Sequence, residues 1–400
     1  MENFENTQKM LLSLLAHNLF SAPLVHIPDV DWDEVLNESV MQSVFLLAFQ
    51  NHKELPLDAE TRMKLNNRLM PYLAKNISCF QDHTYLHSLL DSNGITYCIL
   101  KGASSAHYYP DPLLRAMGDV DFFVPSNDLE KAKEVLTSVG FECSGTNHKY
   151  HIVFKKDKMH CEMHFAPIDL PKGKMGKIFM DYWSEICETS VFVKDDLAEF
   201  RMPSPFLHGF VLLTHFRSHL LFEGIGLRHI CDWVIFANSF SNDEFVNVFE
   251  DKLKKVGMWK LAQIICLIAV DYMGMPYCEW MGEDHNTAKE LLLDILKSGN
   301  FGRKDRQRAY EGFFISDGAA DACKNNRIIQ AFKSLNGLVD SYWKGAEKFP
   351  LLYPIGWMYF SVRFLVRLVL GKRKVDVFDA YSESKKRQEL YEKLNILKPE

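Results

Sequence analysis

Two aspartates stand two positions apart in a short stretch that has the pattern of a β-strand. Asp119 and Asp121 alternate with the apolar residues Val120, Phe122 and Val124. Because successive side chains of a strand point to opposite faces, both carboxylates are predicted to share one face. Two like charges at this spacing raise each other's pKa, and a divalent cation that prefers oxygen ligands removes the repulsion. The pair therefore predicts a metal site that a third carboxylate on a neighbouring strand would complete.

The segment 159–165 provides that third carboxylate. It alternates apolar with polar residues, and its polar positions are His160, Glu162 and His164. The segment 150–154 is predicted to be its hairpin partner, with residues 155–158 as the connecting turn. This arrangement would bring Glu162 to the face that carries the two aspartates. The flanking histidines either orient Glu162 or are only polar residues on a solvated sheet surface.

A glycine-containing segment leads into the aspartate strand. The turn signal Asn93-Gly94 precedes the apolar run Ile95 to Leu100, which is predicted to be a buried strand, and Lys101-Gly102-Ala103-Ser104 then leaves this strand. Ser104 is a candidate cap for the helix that follows. A glycine at a helix start lets backbone N–H groups approach a phosphate, which the helix dipole favours.

These segments together resemble a known protein family. The matching sequences are LKGASSAHYYPDPLLRAMGDVDFFV at 100–124, Gly140-Phe141 and CEMHF at 161–165. They are similar to the polymerase-β-like nucleotidyltransferase superfamily and, within it, to a group of bacterial uncharacterised nucleotidyltransferases. The superfamily pattern falls on Leu100, Gly102, Asp119, Asp121 and Glu162.

The resemblance implies nucleotidyl transfer from a nucleoside triphosphate (NTP). Asp119 and Asp121 would hold one or two Mg²⁺ ions that bridge the triphosphate and position its α-phosphorus, and pyrophosphate would leave. Glu162 would complete the acceptor-side metal and help to deprotonate the incoming hydroxyl. Chemistry of this kind depends on positioning and charge neutralisation.

The resemblance also implies a nucleotide-binding set of residues. Gly102 and Ser104 would cradle the β- and γ-phosphates, and Lys101 or Arg115 would offset their charge. The helical region after the core would close the pocket. Its candidate substrate-contacting residues, together with one from the sheet, are His164, His215, Arg228 and Asp232.

A histidine-rich helix is predicted at Pro205 to Leu221. It carries His208, Leu212, His215 and His219 on one stripe. The spacing of His215 and His219 suits a metal, but the HExxH glutamate is missing, so histidines that face a polar cleft are preferred to a zinc site. Arg228 and Asp232 lie one turn apart, and a plain ion pair within a helix explains them equally well.

Length and patterning predict an α+β protein in which a small mixed sheet lies between two helical regions, and the resemblance implies that this sheet is a nucleotidyltransferase core. The sheet site is expected at an edge, and only helices are expected after Pro171. The other predicted helices are 10–19, 40–49, 59–90 and 129–139, with breaks or caps at Asp31 to Asp33 and at Leu57-Asp58. The predicted domains are an N-terminal helical domain at 1–90, the α/β core at 91–170, a C-terminal helical domain at 171–345, and an amphipathic helix with a charged tail at 346–400.

The charge and cysteine patterns narrow the class of protein. The net charge is −6 and the basic residues are dispersed, which argues against an extended nucleic-acid footprint. Nine cysteines at irregular spacings, without a CxxC pair, suit a reducing cytoplasm and argue against structural zinc. The N-terminus has no secretory-signal pattern.

The segment 350–370 is strongly apolar and runs into the basic residues 372–374. Pro354, Gly356 and two arginines interrupt it, so a buried or amphipathic helix is preferred to a membrane span. The alternative is that 350–374 lies on a membrane surface, which would make the protein peripheral to the membrane. The last ~25 residues alternate in charge and are predicted to form a solvated helix or tail.

The sequence leaves the acceptor open between a small molecule and a protein hydroxyl, and it identifies neither the NTP nor the oligomeric state. The alternative function is a non-catalytic module with the same fold that binds nucleotide or protein. The presence of all three carboxylates argues against this alternative. A hydrolase has little support because no GxSxG elbow or zinc-binding motif is present.

Overall fold

The computed structural model describes the larger part of the chain. That part consists of residues 4–144, 150–167, 170–171, 173–305, 349–369 and 377–396, with the single positions 308, 332, 335, 336, 339 and 343. The predicted α+β class is confirmed, because a small mixed sheet lies between helical regions. The predicted domain boundaries stay predictions.

Capped helices form the N-terminal region. They are α1 Asn6–Phe20, α2 Trp32–Met41, α3 Phe45–Ala48 and α4 Ala59–Ser92. Both predicted caps are confirmed: the Asp31 carboxylate accepts backbone N–H bonds at the start of α2, and Asp58 does the same at the start of α4. The single helix predicted at 40–49 is wrong. The chain leaves the helix after Met41, and Ser43 has a φ of 58°.

The sheet has five strands in the order β1-β2-β5-β4-β3. They are β1 Cys98–Ile99, β2 Val120–Phe123, β3 Glu142–Ser144, β4 His151–Lys156 and β5 Met159–His164. β2 runs parallel to β5, and the other neighbouring pairs are antiparallel. β1 is shorter than the predicted run 95–100. The predicted hairpin is confirmed as β4 and β5, with a tighter turn at Asp157 and Lys158.

Two helices connect the strands of this sheet. The short α5 is Ala103–Ala106, and α6 is Leu129–Ser138. The N-cap of α5 is Gly102, so the prediction that Ser104 caps this helix is wrong. Gly140 has a φ of 92° after α6, as expected for a glycine that ends a helix. Apolar residues of α4 pack with the sheet and α6 in one core.

A second hairpin was not predicted. β6 Val191–Lys194 pairs with β7 Glu199–Met202 in the region where only helices were expected. Phe200 and Met202 of β7 are buried in the core of the sheet, whereas β6 is largely exposed. The Tyr97 hydroxyl accepts the backbone N–H of Arg201 at 3.2 Å. The hairpin thus covers the side of the sheet next to β1.

The C-terminal region returns to helices. They are α7 Lys174–Glu188, α8 Pro205–Phe222, α9 Leu227–Ala237, α10 Asn242–Lys255, α11 Trp259–Met273, α12 His285–Ser298, α13 Leu352–Val369 and α14 Val377–Lys393. α11 is buried along most of its length and packs against α1. One apolar core therefore joins the helices that precede the sheet in the chain with those that follow it.

The last ~25 residues include the helix α14, as one predicted alternative has it, but the expectation that this helix is solvated is wrong on its buried side. Tyr391 is fully buried, and its hydroxyl donates to the backbone oxygen of Leu220 at 2.6 Å. The Arg387 Nε donates to Asp294 Oδ1 at 3.0 Å, and Arg308 contacts the same carboxylate at 2.8 Å. The alternating charges of this segment thus include a buried ion-pair network.

α13 has one exposed apolar stripe. Its residues are Ile355, Met358, Tyr359, Val362 and Val366. A helix is therefore present where a buried or amphipathic one was predicted, its amphipathic character stays a prediction, and residues 370–376 lie outside the described residues. Among the helices described, none combines the length and the apolar character that crossing a membrane requires.

Candidate functional site

A cavity of about 450 Å³ lies between one face of the sheet and helices α8 and α9. Its sheet side includes Lys101, Gly102, Arg115, Gly118, Asp119, Asp121, Tyr150, His151 and Glu162, and its helical side includes His215, His219, Glu223, Arg228, His229 and Asp232. Every predicted site residue except Ser104 and His164 lines this cavity. The cavity lies over β2 and β5, which are inner strands of the sheet. The site is therefore not at the sheet edge, where it was predicted.

The three predicted carboxylates meet at this cavity because of strand register. Asp121 of β2 is paired directly with Glu162 of the parallel strand β5. Asp119 immediately precedes β2 and is exposed to the cavity. Carboxylate oxygens are the ligands that Mg²⁺ and other hard cations prefer, so this set fits such an ion. The catalytic role of the three residues stays a prediction.

Asp121 is buried and lies between two nitrogen groups. The Lys101 Nζ and the His164 Nε2 each lie 3.0 Å from its Oδ1. Burial alone would raise the pKa of Asp121, but the charges of Lys101 and His164 outweigh burial and hold this pKa below its usual value. Asp121 is therefore ionised at neutral pH.

Glu162 has a different environment, although it lies beside Asp121. Burial raises the pKa of Glu162 to about 7, and the charge of Asp121 adds to the rise. The closest imidazole nitrogens are those of His164 and His151, which lie 3.7 Å and 4.0 Å from its Oε2. Two neighbouring carboxylates in one cavity thus differ strongly in acidity.

Helix α4 packs against the loop that contains Gly102, through the side chain of His83. Gly102 has a φ of 66°, and a Cβ at this position would lie 2.7 Å from the His83 Nε2. The His83 Nδ1 contacts the backbone oxygen of Cys79 at 2.6 Å, and its Nε2 accepts the N–H of Ala103 at 3.4 Å. The loop therefore requires glycine here, both for its backbone conformation and for the close approach of His83.

Ser104 does not face the cavity. Its side chain is fully buried, and its hydroxyl donates to the backbone oxygen of Ile99 at 2.6 Å. The hydroxyl that was predicted to cradle a phosphate thus ties the start of α5 back to β1. Gly102 and Lys101 remain at the cavity wall.

Arg115 and Asp232 form a buried clamp between the loop before β2 and α9. The Arg115 Nε and Nη2 each donate to one oxygen of the Asp232 carboxylate at 2.8 Å. The Tyr109 hydroxyl donates to the same carboxylate at 2.7 Å. The alternative of an ion pair within the helix between Arg228 and Asp232 is not realised, since Asp232 binds Arg115 and Arg228 donates to the backbone oxygen of Ala116 at 3.2 Å. The guanidinium predicted to offset phosphate charge is thus engaged by Asp232.

The helical wall of the cavity is rich in imidazoles. The rings of His215 and His219 lie 4.1 Å apart between centroids, and that of His229 lies 5.4 Å from His215. Burial lowers the pKa of His215 and of His229, and the nearby Lys101 charge adds to the effect. The preference for histidines facing a polar cleft is confirmed for His215 and His219. It is wrong for His208, which is fully buried and stacks on Tyr108.

Several residues of the site were not predicted. His151 pairs across the hairpin with His164, and this position follows from the register that a tight turn at Asp157 sets. His83 and Tyr109 come from other elements, and nothing in the sequence pattern indicates their contacts with Ala103 and Asp232.

The comparisons with known proteins identify the family. A family model described as "Uncharacterised nucleotidyltransferase" matches residues 28–274, which is more than half of the chain. The chain belongs to this family. Membership in the uncharacterised nucleotidyltransferase family supports nucleotidyl transfer as the general class of reaction, with a nucleotide as a substrate. The matched region contains the sheet, the cavity and the helices α8 to α11.

The comparison with solved structures gives a distant similarity. It is to the crystal structure of an antigenic nucleotidyltransferase-like protein from Paracoccidioides brasiliensis, at 15% sequence identity. The similarity covers 46% of this chain and 91% of the other, with a TM-score of 0.29, and supports no conclusion of its own. No curated protein matches this nucleotidyltransferase-family chain.

Proposed function

We propose that this protein is a Mg²⁺-dependent nucleotidyltransferase that moves a nucleoside monophosphate from an NTP to an acceptor hydroxyl and releases pyrophosphate. The observation that carries the proposal is the pairing of Asp121 with Glu162 on adjacent parallel strands, with Asp119 at the same cavity. Oxygen donors from three carboxylates suit one or two Mg²⁺ ions, which would screen the charge of the triphosphate when bound.

The residues around the carboxylates have distinct roles in this proposal. Lys101 exchanges its contact with Asp121 for the triphosphate, and the backbone at Gly102 gives the phosphates room to approach. A bond forms between the acceptor oxygen and the α-phosphorus as the bond from this phosphorus to the β-phosphate bridging oxygen breaks. Glu162 lies on the acceptor side and takes up the hydroxyl proton, which its raised pKa allows.

The helical wall is the proposed acceptor side of the pocket. His215 and Arg228 line the cavity, and Asp232 reaches it beside Arg115. His164 acts on the substrate through Asp121, since it does not line the cavity itself. A small molecule or an exposed hydroxyl of a protein remains the proposed acceptor, and cytoplasm remains the proposed location.

Ligand-dependent thermal stability tests this proposal. We expect one of the four ribonucleoside triphosphates to raise the Tm of the wild type only when Mg²⁺ is present, because a ligand that binds the native state stabilises it. Asp121→Asn should lose this shift. Glu142→Gln, which changes an exposed carboxylate on the edge strand of the same sheet, should keep it.

Release of pyrophosphate in the presence of candidate acceptors then tests the reaction. A Mg²⁺-dependent Tm shift that persists in Asp121→Asn would contradict the assigned site. A properly folded wild type that responds to none of the triphosphates would favour the alternative, a non-catalytic binding module with this fold.

The exposed stripe of α13 supports a membrane-facing role as well. We propose that its five apolar residues lie on an anionic membrane surface, because the following basic run at 372–374, outside the described residues, complements such lipid. Sedimentation with vesicles that contain phosphatidylglycerol should pellet the wild type, and pure phosphatidylcholine vesicles should not. Met358→Glu should abolish pelleting, whereas Met63→Glu, at an equally exposed site on α4, should not. Equal behaviour of the two variants would contradict this role.

A further inference from the structure

Two imidazoles and one carboxylate converge beside Asp121 at the cavity. They belong to His151 of β4 and to Glu162 and His164 of β5, and one ligand atom from each lies within 4.8 Å of the other two. The pairing of His151 with His164 across the hairpin, and the two-residue spacing of Glu162 and His164, put all three side chains on one face. The strand register therefore fixes the cluster.

The separations between these atoms suit a shared cation better than hydrogen bonds. The Glu162 Oε2 lies 3.7 Å from the His164 Nε2 and 4.0 Å from the His151 Nε2, and both distances are too long for a hydrogen bond. Ligand atoms bound at ~2.1 Å around one metal ion lie roughly 3 to 4 Å apart, as the angles of tetrahedral or octahedral coordination require. The three atoms thus surround a space of the size that one metal ion fills.

The cluster also joins the carboxylate site. The His164 Nε2, which lies 3.7 Å from Glu162, is only 3.0 Å from the Asp121 Oδ1. His164 is almost fully buried, so its ring is held in place between the two carboxylates. Its other nitrogen, Nδ1, is buried and has no hydrogen-bond partner among the described residues. Binding of a cation by the His164 Nε2 would therefore replace its hydrogen bond to Asp121, which leaves the Lys101 Nζ as the partner of Asp121.

We propose that His151, Glu162 and His164 form a binding site for a divalent transition-metal ion of the Zn²⁺ or Co²⁺ class. Two imidazoles with one carboxylate select such ions over Mg²⁺, and three protein ligands leave open positions for a further ligand. The inference rests on the proposed function only in that Glu162 belongs to both sites, so this ion would take the place of a second Mg²⁺ ion. Mg²⁺ with the triphosphate would occupy the oxygen ligands of Asp119 and Asp121.

Cobalt is the probe for this site because Co²⁺ bound to nitrogen ligands absorbs visible light. Titration of the metal-stripped full-length protein with Co²⁺ should give a visible absorption band that saturates at one ion per chain. His151→Ala should weaken this binding at least tenfold, because it removes one of three ligands. His160→Ala, which removes an exposed imidazole from the same strand and face, should bind Co²⁺ as the wild type does.

The competing ions and a second variant complete the test. Zn²⁺ should displace Co²⁺ at about equal concentration, and a large excess of Mg²⁺ should not. His151→Asn, which keeps a polar side chain at this half-buried position, checks that the loss does not come from unfolding. Unchanged Co²⁺ affinity in both His151 variants, or displacement by equimolar Mg²⁺, would overturn the inference.

The outcome is independent of the test for nucleotide binding. Wild-type protein that shows the Mg²⁺-dependent triphosphate shift but no Co²⁺ band would refute the transition-metal site and keep the proposed function. A saturable Co²⁺ band lost in the His151 variants, without any triphosphate shift, would support the metal site and refute the proposed function.

Discussion

Two buried ion pairs line the same cavity and differ in how they are held. Asp232 receives two parallel bonds from Arg115 and a third from the Tyr109 hydroxyl. Asp121 contacts the single ammonium of Lys101 and the imidazole of His164. A bidentate guanidinium fixes geometry, whereas a lysine on a flexible stem can exchange one anion for another. The comparison suggests that the first pair fixes the cavity wall and that the second pair is exchanged for substrate.

Loss of the fixed carboxylate should have the largest effect on stability. Asp232→Ala leaves the guanidinium of Arg115 buried without its partner, and this should lower the free energy of unfolding by about 3–5 kcal/mol. Urea denaturation measures the loss. Asp251→Ala removes an exposed carboxylate from α10 and should change stability by less than about 0.5 kcal/mol. A similar cost for both variants would remove the distinction between the clamp and an ordinary surface charge.

His83 contacts the loop that follows Lys101, and its protonation should make the stability of the protein depend on pH. Burial lowers the pKa of His83 from 6.5 to about 4, so the unfolded chain binds more protons than the native state between these values. Stability from this residue is therefore present above pH 6.5 and lost as the pH falls towards 4, by roughly 3 kcal/mol.

Denaturation curves from pH 7 to pH 4.5 measure this effect. The stability advantage of the wild type over His83→Gln should shrink as the pH falls, because glutamine does not titrate. His160→Gln, at an exposed site, is the control variant for the loss of an imidazole from the surface. A His83→Gln difference that does not change with pH would show that the ring is not buried in the neutral form.

The hydroxyl of Tyr109 should contribute less than the clamp that it completes. Tyr109→Phe removes one bond to a charged acceptor and should cost about 1.5–3 kcal/mol. Tyr277→Phe, at a side chain that is 47% exposed, is the matched control and should have almost no effect in the same denaturation experiment. A cost for Tyr109→Phe no larger than that of the control would mean that Arg115 alone satisfies Asp232.

Lys101 should show the smallest change in stability. Lys101→Met removes the contacts of the ammonium with Asp121 and His215, but Asp121 keeps His164 as a partner and borders the cavity, so the free energy of unfolding should change by less than about 1 kcal/mol. Its affinity for the Mg²⁺-bound triphosphate should nevertheless fall at least tenfold. A stability loss as large as that of Asp232→Ala would show that both pairs are structural.

The sequence was most informative where local periodicity determines the outcome. The alternation around Asp121 and Glu162 predicted two strands with their carboxylates on a common face, and β2 and β5 have the register that this requires. The run 40–49 was predicted as one helix, but the structure has a break between Met41 and Phe45. The residues after the break are all buried, so their pattern does not indicate where it lies. Periodicity cannot show that the chain turns between two short helices in such a run.

Contacts between side chains of distant segments could not be predicted from local sequence patterns. The resemblance implies that Lys101 or Arg115 offsets phosphate charge, yet the partner of Arg115 lies 117 positions away in the sequence. Ser104 was assigned by its place after the glycine, but the tight start of α5 turns its hydroxyl towards Ile99. The packing of helices and loops determines which donor meets which acceptor. Sequence patterns do not predict that packing.

The packing of α1 against α11 has a consequence for biosynthesis. α1 ends at Phe20 and α11 begins at Trp259, so the ribosome must add more than two hundred residues before the first helix meets its partner. At ~5–20 residues per second, this delay is on the order of tens of seconds. The apolar face of α1 must be shielded in the meantime by its immediate neighbours α2 and α3 or by a chaperone.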